Sequence, residues 1–456
     1  MFSLVTTYYG LASDFCLSHV CKPSVQYEVL NLNPKNKKSE DGEVEYDEEH
    51  DEWVLENFQK KPSKAKKKAY YSYPAEKLFP LTMATGLGAS KDVVELIYNA
   101  NPKAIESVDK KGNTVLHWAC RYKAKTEVIM MLIDWWPDAL EVENEDGQTP
   151  LMLALEITDV PFEIIQFMVG KYPEAVGIQD RFDRTTVQVA CSNKASIRVV
   201  ELLGAWFAEA YHMKSNIGAI NLHQACNCNA PLEVVKFILH KYPEGVREKN
   251  DFGQIPLHMA CKNKPQLEIV EEMLRAYPEG IKEPDEKGRL PLHVATLENG
   301  SYEVISRLID EYPDALNILP DDKRTTVHLA CYGKADIETV KLIMDKMGPH
   351  DFKVDKDGRT PVHIAANWGD NLDLIQLLVD AHPTSLEQVD NWGWTPLHLA
   401  CFNNGPTPVA IIEYLVDKFP EASEMEDKWK WIPIHIAKKY DLECDTWQYL
   451  GETKPL

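Results

Sequence analysis

The sequence predicts an all-α protein, built as an α-solenoid of helix-turn-helix repeats with finger turns between them. Three observations support this fold class. A short motif recurs about every 35 residues, an alanine occupies the same place in every copy, and proline and glycine recur at fixed places between apolar helical faces. Repeats of this length are typical of solenoids, in which each unit packs mainly on its neighbours.

The copies align on one position, most often a histidine, which we call the anchor. Successive anchors are 35 residues apart in eight of ten cases, and the residue two after the anchor is alanine in all eleven copies. The register predicts about eleven units over residues 76–456, with truncated units at both ends. The anchors are Thr82, His117, Met152, Gln188, His223, His258, His293, His328, His363, His398 and His435.

Each unit is predicted to begin with a tight turn, the finger. Asp or Asn stands eight before the anchor in eight of ten units, and Gly stands five before it in seven of ten. The short polar side chain bonds to nearby backbone, and glycine accepts a positive φ. Threonine three before the anchor predicts an N-cap for a first helix. These threonines are Thr114, Thr149, Thr185, Thr325, Thr360 and Thr395.

A second helix with one apolar face follows the first. In the unit anchored at His258, the helical spacing of Ile269, Val270, Met273 and Leu274 predicts this face. The helix is predicted to stop at a proline fifteen before the next anchor, which is present in eight of ten cases. These prolines are Pro102, Pro137, Pro173, Pro243, Pro278, Pro313, Pro383 and Pro420.

The combined motif resembles the ankyrin repeat, which reads Asp-x-x-Gly-x-Thr-Pro-Leu-His-x-Ala. Residues 355–365 read DKDGRTPVHIA. The period is longer than the usual 33 residues or so, and the extra length near the proline predicts a longer exit from the second helix. The resemblance implies a non-enzymatic scaffold or adaptor that binds protein partners on a concave face formed by the fingertips and first helices.

Composition narrows the function further. Lys plus Arg is 49 and Asp plus Glu is 71, so the net charge of −22 disfavours nucleic-acid binding. There is no apolar run long enough to span a membrane. Six of ten cysteines lie three after an anchor, too far apart for disulfides, which indicates a reducing compartment. We expect a monomeric array in the cytoplasm, or alternatively the nucleus, with protein partners and neither nucleic acid nor membrane.

The histidines invite a metal interpretation, but anchors on helices about 8–10 Å apart cannot share one ion. We expect each anchor imidazole to bond to the backbone of its own or the adjacent finger. No nucleotide-binding loop or catalytic constellation interrupts the repeat. The sequence therefore predicts no enzymatic activity, cofactor or metal.

Residues 1–75 do not join the repeat and are predicted to be mostly disordered, over about residues 31–72. Ten of the seventeen residues from Glu40 to Glu56 are acidic, and six of the nine from Lys60 to Lys68 are lysine. The lysine run is a solvated linker, a nuclear-import signal or a membrane-surface patch. Two alternative functions follow: a cytoskeletal or membrane tether using this run, or a regulatory subunit of a kinase or ubiquitin-ligase complex.

Aromatic residues in the fingers are the candidate binding residues. Two neighbouring units carry tryptophan six and four before the anchor, and phenylalanine takes the six-before position in two other units. Tryptophan is enriched in the energetic hot spots of interfaces. The alternative is a cap in which the rings pack on one another or on Trp447 and Tyr449. The candidates are Trp392, Trp394, Trp429, Trp431, Trp368, Phe402, Phe182 and Phe252.

Overall fold

The structure is a computed structural model that describes residues 71–72, 80–157, 160–348, 353–368, 371–402 and 409–440. The chain divides into residues 1–69 and residues 70–456, and the repeat array lies in the second unit. The predicted disordered tail up to residue 70, with its acidic and lysine-rich runs, lies outside the described residues, as do Trp447 and Tyr449.

Twenty-one α-helices alternate along the described residues, which confirms the all-α class. Short first helices carry odd numbers and longer second helices carry even numbers. The first helices are α1 (Pro80–Gly86), α3 (Val115–Arg121), α5 (Pro150–Leu155), α7 (Thr186–Ser192), α9 (Asn221–Asn227), α11 (Pro256–Ala260), α13 (Pro291–Leu297), α15 (Thr326–Tyr332), α17 (Pro361–Trp368), α19 (Pro396–Phe402) and α21 (Pro433–Lys439). The second helices are α2 (Lys91–Ala100), α4 (Thr126–Trp135), α6 (Phe162–Lys171), α8 (Ile197–Trp206), α10 (Leu232–Lys241), α12 (Leu267–Ala276), α14 (Tyr302–Glu311), α16 (Ile337–Met347), α18 (Leu372–Ala381) and α20 (Val409–Lys418).

The first helices start where the threonines predict. All six threonines accept a hydrogen bond from the backbone N–H of the anchor three residues later, as in Thr114 Oγ1, which lies 3.3 Å from His117 N. This bond satisfies one of the donors that a helix N-terminus leaves free. The first helices pack against the first helices of their neighbours, and α1 to α19 each pack against the second helix that follows.

The alanine two after the anchor allows this close packing. It is buried in ten of the eleven first helices, with exposures of 0–2% from Ala119 to Ala437. Ala84 in α1, the first of the described helices, is only half-buried. The continuous core of the array therefore runs along the first helices and the apolar faces of the second.

The finger backbone is fixed by a local side chain and by a left-handed residue. Asp355 Oδ1 accepts the N–H groups of Asp357 and Arg359, both at 2.9 Å, and all eight predicted Asp and Asn residues do the same in their fingers. Five before the anchor, the seven glycines have φ between 68° and 85°. The three units without this glycine keep the conformation, with positive φ at Asp183, Lys323 and Lys430.

A ladder of hydrogen bonds joins each finger to the next. The N–H seven before one anchor donates to the carbonyl six before the previous anchor, as in Glu286 N to Phe252 O at 3.0 Å. Nine such bonds run without interruption from Glu145 to Lys428. The approach is so close that a Cβ on Gly253 would lie 2.8 Å from Glu286 N. The fingertip side chains therefore stand in a row on a continuous backbone support.

The second helices end two residues before the predicted prolines, and each proline begins a short 3-10 helix. This extra turn confirms the longer exit that the 35-residue period predicts. A ninth 3-10 helix forms without proline at Ala208–Tyr211. The others are Pro102–Glu106, Pro137–Glu141, Pro173–Gly177, Pro243–Arg247, Pro278–Lys282, Pro313–Asn317, Pro383–Leu386 and Pro420–Glu424.

One short sheet adds to the helices. Strand β1 (Tyr71–Ser72) pairs in parallel with strand β2 (Ser107–Val108), with Tyr71 opposite Ser107. These two residues lie at the end of the segment predicted to be disordered, and their backbone pairs with the residues that precede the first finger. Such a pairing leaves no periodic pattern in the sequence.

Candidate functional site

The anchor histidines are part of the scaffold. His363 Nδ1 accepts the N–H of Thr360 at 3.1 Å, so the proton sits on Nε2, which donates to the Trp394 carbonyl of the next finger at 3.0 Å. Burial lowers the pKa of His363 to about 4, although the bond to the Trp394 carbonyl acts to raise it. The predicted structural role is confirmed, with bonds to both the histidine's own and the adjacent finger.

Gln188 shows that this role needs no imidazole. Its Oε1 accepts the N–H of Thr185 at 2.9 Å and its Nε2 donates to the Ala219 carbonyl at 2.8 Å. The amide therefore reproduces both bonds of the histidine without a titratable group. At His293 the imidazole is present but the bond to the next finger is missing, since its Nε2 has no hydrogen-bond partner among the described residues. The finger that follows it has Pro320 where most fingers have Asp or Asn.

Within the described ranges, no three His, Cys, Asp or Glu side chains come together in a group that suits a metal ion. The seven described cysteines are free thiols, and six are buried. Burial raises the pKa of Cys261 and of its counterparts in other units, so these thiols stay protonated. No helix in the described part of the chain is long and apolar enough to cross a membrane.

The second oxygen of the finger carboxylate separates two kinds of finger. In one kind, an arginine four residues after the aspartate donates a hydrogen bond to this oxygen. Arg289 Nε lies 2.9 Å from Asp285 Oδ2, and Arg359 Nε lies 3.0 Å from Asp355 Oδ2. Burial acts to raise the pKa of Asp285 and Asp355, but the arginine and the backbone N–H groups more than offset it, so both pKa values are lowered. We call these the arginine fingers.

The last two described fingers carry tryptophan in place of that arginine, and we call them the tryptophan fingers. Trp394 turns to the next unit, where its indole Nε1–H donates to Asp427 Oδ2 at 2.9 Å. Asp390 Oδ2 is left buried, with no hydrogen-bond partner among the described residues. Burial therefore raises the pKa of Asp390, although the N–H groups of Trp394 and Trp392 act to lower it.

The tryptophan fingers present large rings to solvent. Trp392 and Trp429 are 41% and 59% exposed on adjacent fingertips. Trp394 and Trp431 are half-buried, pack on the core, and line a cleft of about 350 Å³. We name the predicted rings of this region, together with one tyrosine, the C-terminal aromatic surface. It consists of Trp368, Trp392, Trp394, Phe402, Trp429, Trp431 and Tyr440.

Ring contacts hold part of this surface together. Phe402 packs edge-on between Trp394, with ring centroids 5.1 Å apart, and Tyr440, at 4.8 Å. Trp368, 44% exposed, meets Tyr332 edge-on at 5.3 Å. Sequence reasoning missed both tyrosines. They stand four and five after their anchors, the places that Phe402 and Trp368 occupy in other units, and this register was the available signal.

Phe182 and Phe252 lie elsewhere in the array. Phe182, Ile217 and Phe252 occupy the same fingertip position in three successive units. Phe182 and Ile217 are each 41% exposed, and Phe252 is 48% exposed. Ile217 was missed, although it stands six before its anchor like the two phenylalanines. We call these three residues the central apolar row. A second cleft of about 190 Å³ lies beside Phe182 and Ile217.

Comparison with known proteins identifies the repeat. A family profile described as ankyrin repeats (3 copies) matches residues 81–169, 222–321, 297–387 and 327–430. An ankyrin repeat-containing protein of Schizosaccharomyces pombe is 29% identical over 113 residues, which is 25% of this chain and 47% of that protein. An ankyrin repeat protein of Rickettsia bellii is 38% identical over 64 residues, 14% of this chain and 26% of that protein.

The chain thus spans less than half the length of these two curated relatives. Among solved structures, one chain of a predatory endopeptidase–immunity protein complex from Bdellovibrio bacteriovorus matches with a TM-score of 0.37 and 17% identity. That match covers 43% of this chain and 97% of the other. The family profile covers well over half of the sequence, in the part of the chain that forms the helix pairs described above. The chain belongs to the ankyrin repeat family.

Proposed function

We propose that the protein is a non-enzymatic scaffold or adaptor that binds protein partners through the C-terminal aromatic surface. Ankyrin repeats generally mediate protein–protein interaction. The observation that carries the proposal is the exposure of Trp392 and Trp429 on adjacent fingertips, 41% and 59%, beside a cleft of about 350 Å³. Exposed tryptophan does little for the stability of a soluble array, whereas buried against a partner it is the residue most enriched in hot spots.

The ladder between fingers supports the same proposal. Lys428 N donates to the Trp392 carbonyl at 3.1 Å, so the backbones of the two tryptophan fingers are tied before any partner arrives. A preformed surface loses little conformational entropy on binding, and more of the contact energy then appears as affinity. The surface is therefore suited to a partner that docks on it without remodelling it.

The chemistry of the polar groups supports the non-enzymatic part of the proposal. Both ring nitrogens of the anchors His258, His328 and His363 form hydrogen bonds with the backbone, and burial lowers the pKa of these rings to about 4. General acid–base catalysis needs a group that titrates near the working pH and reaches the substrate. Buried rings with both nitrogens engaged do neither.

The test is to replace the two exposed tryptophans and compare partner capture. We expect Trp392→Ala with Trp429→Ala to lose the proteins that the unmodified array captures, as measured by quantitative affinity purification. Trp206→Ala is the matched control, because Trp206 is 54% exposed but ends a second helix in another unit. Capture by the control should equal that of the unmodified chain.

Thermal melting of the same variants separates binding from capping. The double variant should melt within a few degrees of the unmodified array, since both rings are largely outside the core. A large fall in melting temperature would instead assign the tryptophans to a cap. An unchanged set of captured proteins would refute the proposal.

A further inference from the structure

The cleft beside Trp429 has a cluster of exposed lysines at its rim, although the array as a whole is negatively charged. We propose that it binds an acidic peptide segment with an aromatic or large apolar anchor side chain. This inference rests on the proposed function and adds the chemistry of the partner. The cleft is lined by Trp394, Asp427, Trp429, Trp431, Ile436, Lys439 and Tyr440.

Four exposed lysines lie at or beside the cleft, together with the exposed carboxylate of Glu426. Lys428 and Lys430 flank Trp429 on the fingertip, and Lys438 and Lys439 end α21, all four exposed to solvent. Lys439 Nζ lies 4.6 Å from the centroid of the Trp431 ring. Within the described ranges, Lys430 is the one member of this group that forms an ion pair, to Glu426 at 2.7 Å. Lys428, Lys438 and Lys439 therefore face a ligand carboxylate without a competing ion pair inside the described ranges.

The carboxylate in the cleft wall does not cancel these charges at the surface. Asp427 is only 5% exposed, and its oxygens accept three hydrogen bonds. They come from the N–H groups of Trp429 and Trp431 at 2.8 and 2.9 Å and from Trp394 Nε1 at 2.9 Å. With its acceptor sites turned inward, Asp427 holds the rings in place. A ligand meets ammonium groups and ring faces.

The size of the cleft sets the scale of the ligand. Pockets that enclose small ligands measure roughly 300–1,000 Å³, and this cleft of about 350 Å³ lies at the lower end. It accommodates one or two side chains of a peptide, whose flanking carboxylates would reach the lysines on either rim. Trp429 and Trp431 offer ring faces for an aromatic anchor, which packs favourably when offset or edge-on.

The charge of the whole array favours a peptide over a nucleic acid. Residues 76–456 carry 59 acidic and 39 basic residues, a net charge of −20. A polyanion that extended past the cleft would meet an array whose net charge has the same sign and would be repelled. A short acidic peptide confines its charge to the lysine-rich end. The same repulsion would keep it from binding elsewhere, which supplies specificity.

The test selects ligands without assuming their sequence. A displayed library of short random peptides is selected on the full-length chain, with counter-selection on the Trp429→Ala variant. We expect the enriched peptides to combine several Asp or Glu residues with Trp, Tyr, Phe or Leu. Binding of the consensus peptide should weaken as salt rises, because the contacts between carboxylates and exposed lysines are screened.

Charge variants then test the lysines directly. Lys438→Gln with Lys439→Gln should weaken the consensus peptide by about tenfold or more, and replacing its Glu residues with Gln should do the same. The control is Lys241→Gln, since Lys241 Nζ likewise lies over an aromatic ring, 5.2 Å from the Phe237 centroid, but in a distant unit. It should leave the affinity unchanged.

Three outcomes would overturn the inference. Enriched peptides that depend on Trp429 but are basic or uncharged would reject the acidic ligand and leave the proposed function standing. An oligothymidine that binds more tightly than the best peptide would assign the cleft to nucleic acid. If no selected peptide depends on Trp429, the inference and the proposed function fail together.

Discussion

The arginine fingers and the tryptophan fingers share one backbone and close their carboxylates in different ways. Asp355 and Arg359 form a pair inside a single finger, with Nε 3.0 Å from Oδ2. Trp394 instead donates to Asp427 in the next finger, and Asp390 Oδ2 has no partner among the described residues. The pKa of Asp355 is lowered, while that of Asp390 is raised.

The difference shows how one finger backbone can present either a closed ion pair or an exposed aromatic surface. In the fingers of Asp285 and Asp355 an arginine closes the carboxylate, and the fingertip position carries Lys287 or Asp357 in place of an aromatic ring. A tryptophan finger gives up that pair at Asp390, links two units through an indole, and exposes ring faces. Buried polar atoms without partners destabilise a fold, so the surface is formed at a local cost in stability that the arginine fingers avoid.

The largest expected effect tests what the two regions share. Ala260→Glu in the array interior and Ala400→Glu beside the tryptophan fingers both place a charge in a fully buried helix contact, since both alanines are 0% exposed. An unpaired buried charge costs at least about 3 kcal/mol. We expect each variant to lose the cooperative melting of its part of the array, observed by thermal melting and amide hydrogen exchange.

Ala276→Glu is the matched control, because Ala276 is exposed at the end of α12. It should melt like the unmodified chain. Normal melting of Ala400→Glu alone would mean that the tryptophan end packs loosely and differs from the interior in more than its carboxylates.

The next effect is acid sensitivity from the anchor histidines. Burial lowers the pKa of His363 from 6.5 to about 4, so the unfolded chain binds a proton near pH 6.5 that the folded array refuses. The free energy of unfolding is therefore highest, with respect to this ring, above pH 6.5. It falls by about 3 kcal/mol for one such ring as the pH drops from 6.5 towards 4. Melting temperature measured across this range should fall steeply.

Substitution with glutamine isolates one ring, since Gln188 already makes the same two hydrogen bonds. His363→Gln should flatten the pH profile, whereas replacing the exposed His240 should not. A profile that keeps its full slope in His363→Gln would contradict the assignment of a neutral, buried imidazole.

A smaller and opposite pair of effects separates the two kinds of finger directly. Asp355→Asn should destabilise the array at pH 7 by about 1–3 kcal/mol, because a charge-assisted pair with Arg359 is lost. Asp390→Asn should stabilise it by up to about 1 kcal/mol, since it removes a buried charge whose partner is missing. Chemical denaturation at pH 7 measures both.

The sign follows from the pKa shifts. Asp355, with a lowered pKa, contributes stability above its unfolded value near 3.8, and this is lost as the pH falls through the folded pKa. Asp390, with a raised pKa, costs stability as the pH rises from 3.8 through its folded pKa. The gain from Asp390→Asn should therefore vanish in acid. Equal signs for the two variants at pH 7 would erase the distinction between the fingers.

The smallest effect concerns the backbone that both kinds of finger share. Lys323 and Lys430 hold φ of 57° and 66° where seven other units have glycine. Lys323→Gly and Lys430→Gly should each stabilise the array by roughly 0.5–1 kcal/mol, by relieving a left-handed conformation that costs a non-glycine residue about 1 kcal/mol or more. Similar shifts in melting temperature would show that the two regions differ only in their side chains.

Most of the fold was predictable because the same short sequence motif recurs in every unit, and each motif residue has a local structural role. The threonine caps, the Asp or Asn of the finger, the buried alanine and the proline after the second helix each depend on a short stretch of chain. The structure places them as the motif predicts. The positive φ at Asp183, Lys323 and Lys430 was less visible, since there the neighbouring fingers impose a conformation that the residue itself does not favour.

The candidate site was predictable only in part. The register indicated that Trp392 and Trp429 occupy the same fingertip position, yet it did not reveal that Trp394 would bond across to Asp427. That choice depends on side-chain rotamers and on the next unit, which periodicity does not encode. Ile217, Tyr332 and Tyr440 were missed for a simpler reason: attention to tryptophan and phenylalanine overlooked other large side chains in the same register.

The hydrogen-bond ladder between fingers has a consequence for partners with two contact points. It joins the finger of Phe252 to that of Trp392 through three intervening fingers, each bonded to the next. With neighbouring helices about 8–10 Å apart, the two apolar regions stand roughly 30–40 Å from each other. If both regions bind, as an extension of the function proposed above, a ligand with two segments that match this span would gain avidity, and one with a shorter linker would contact a single region.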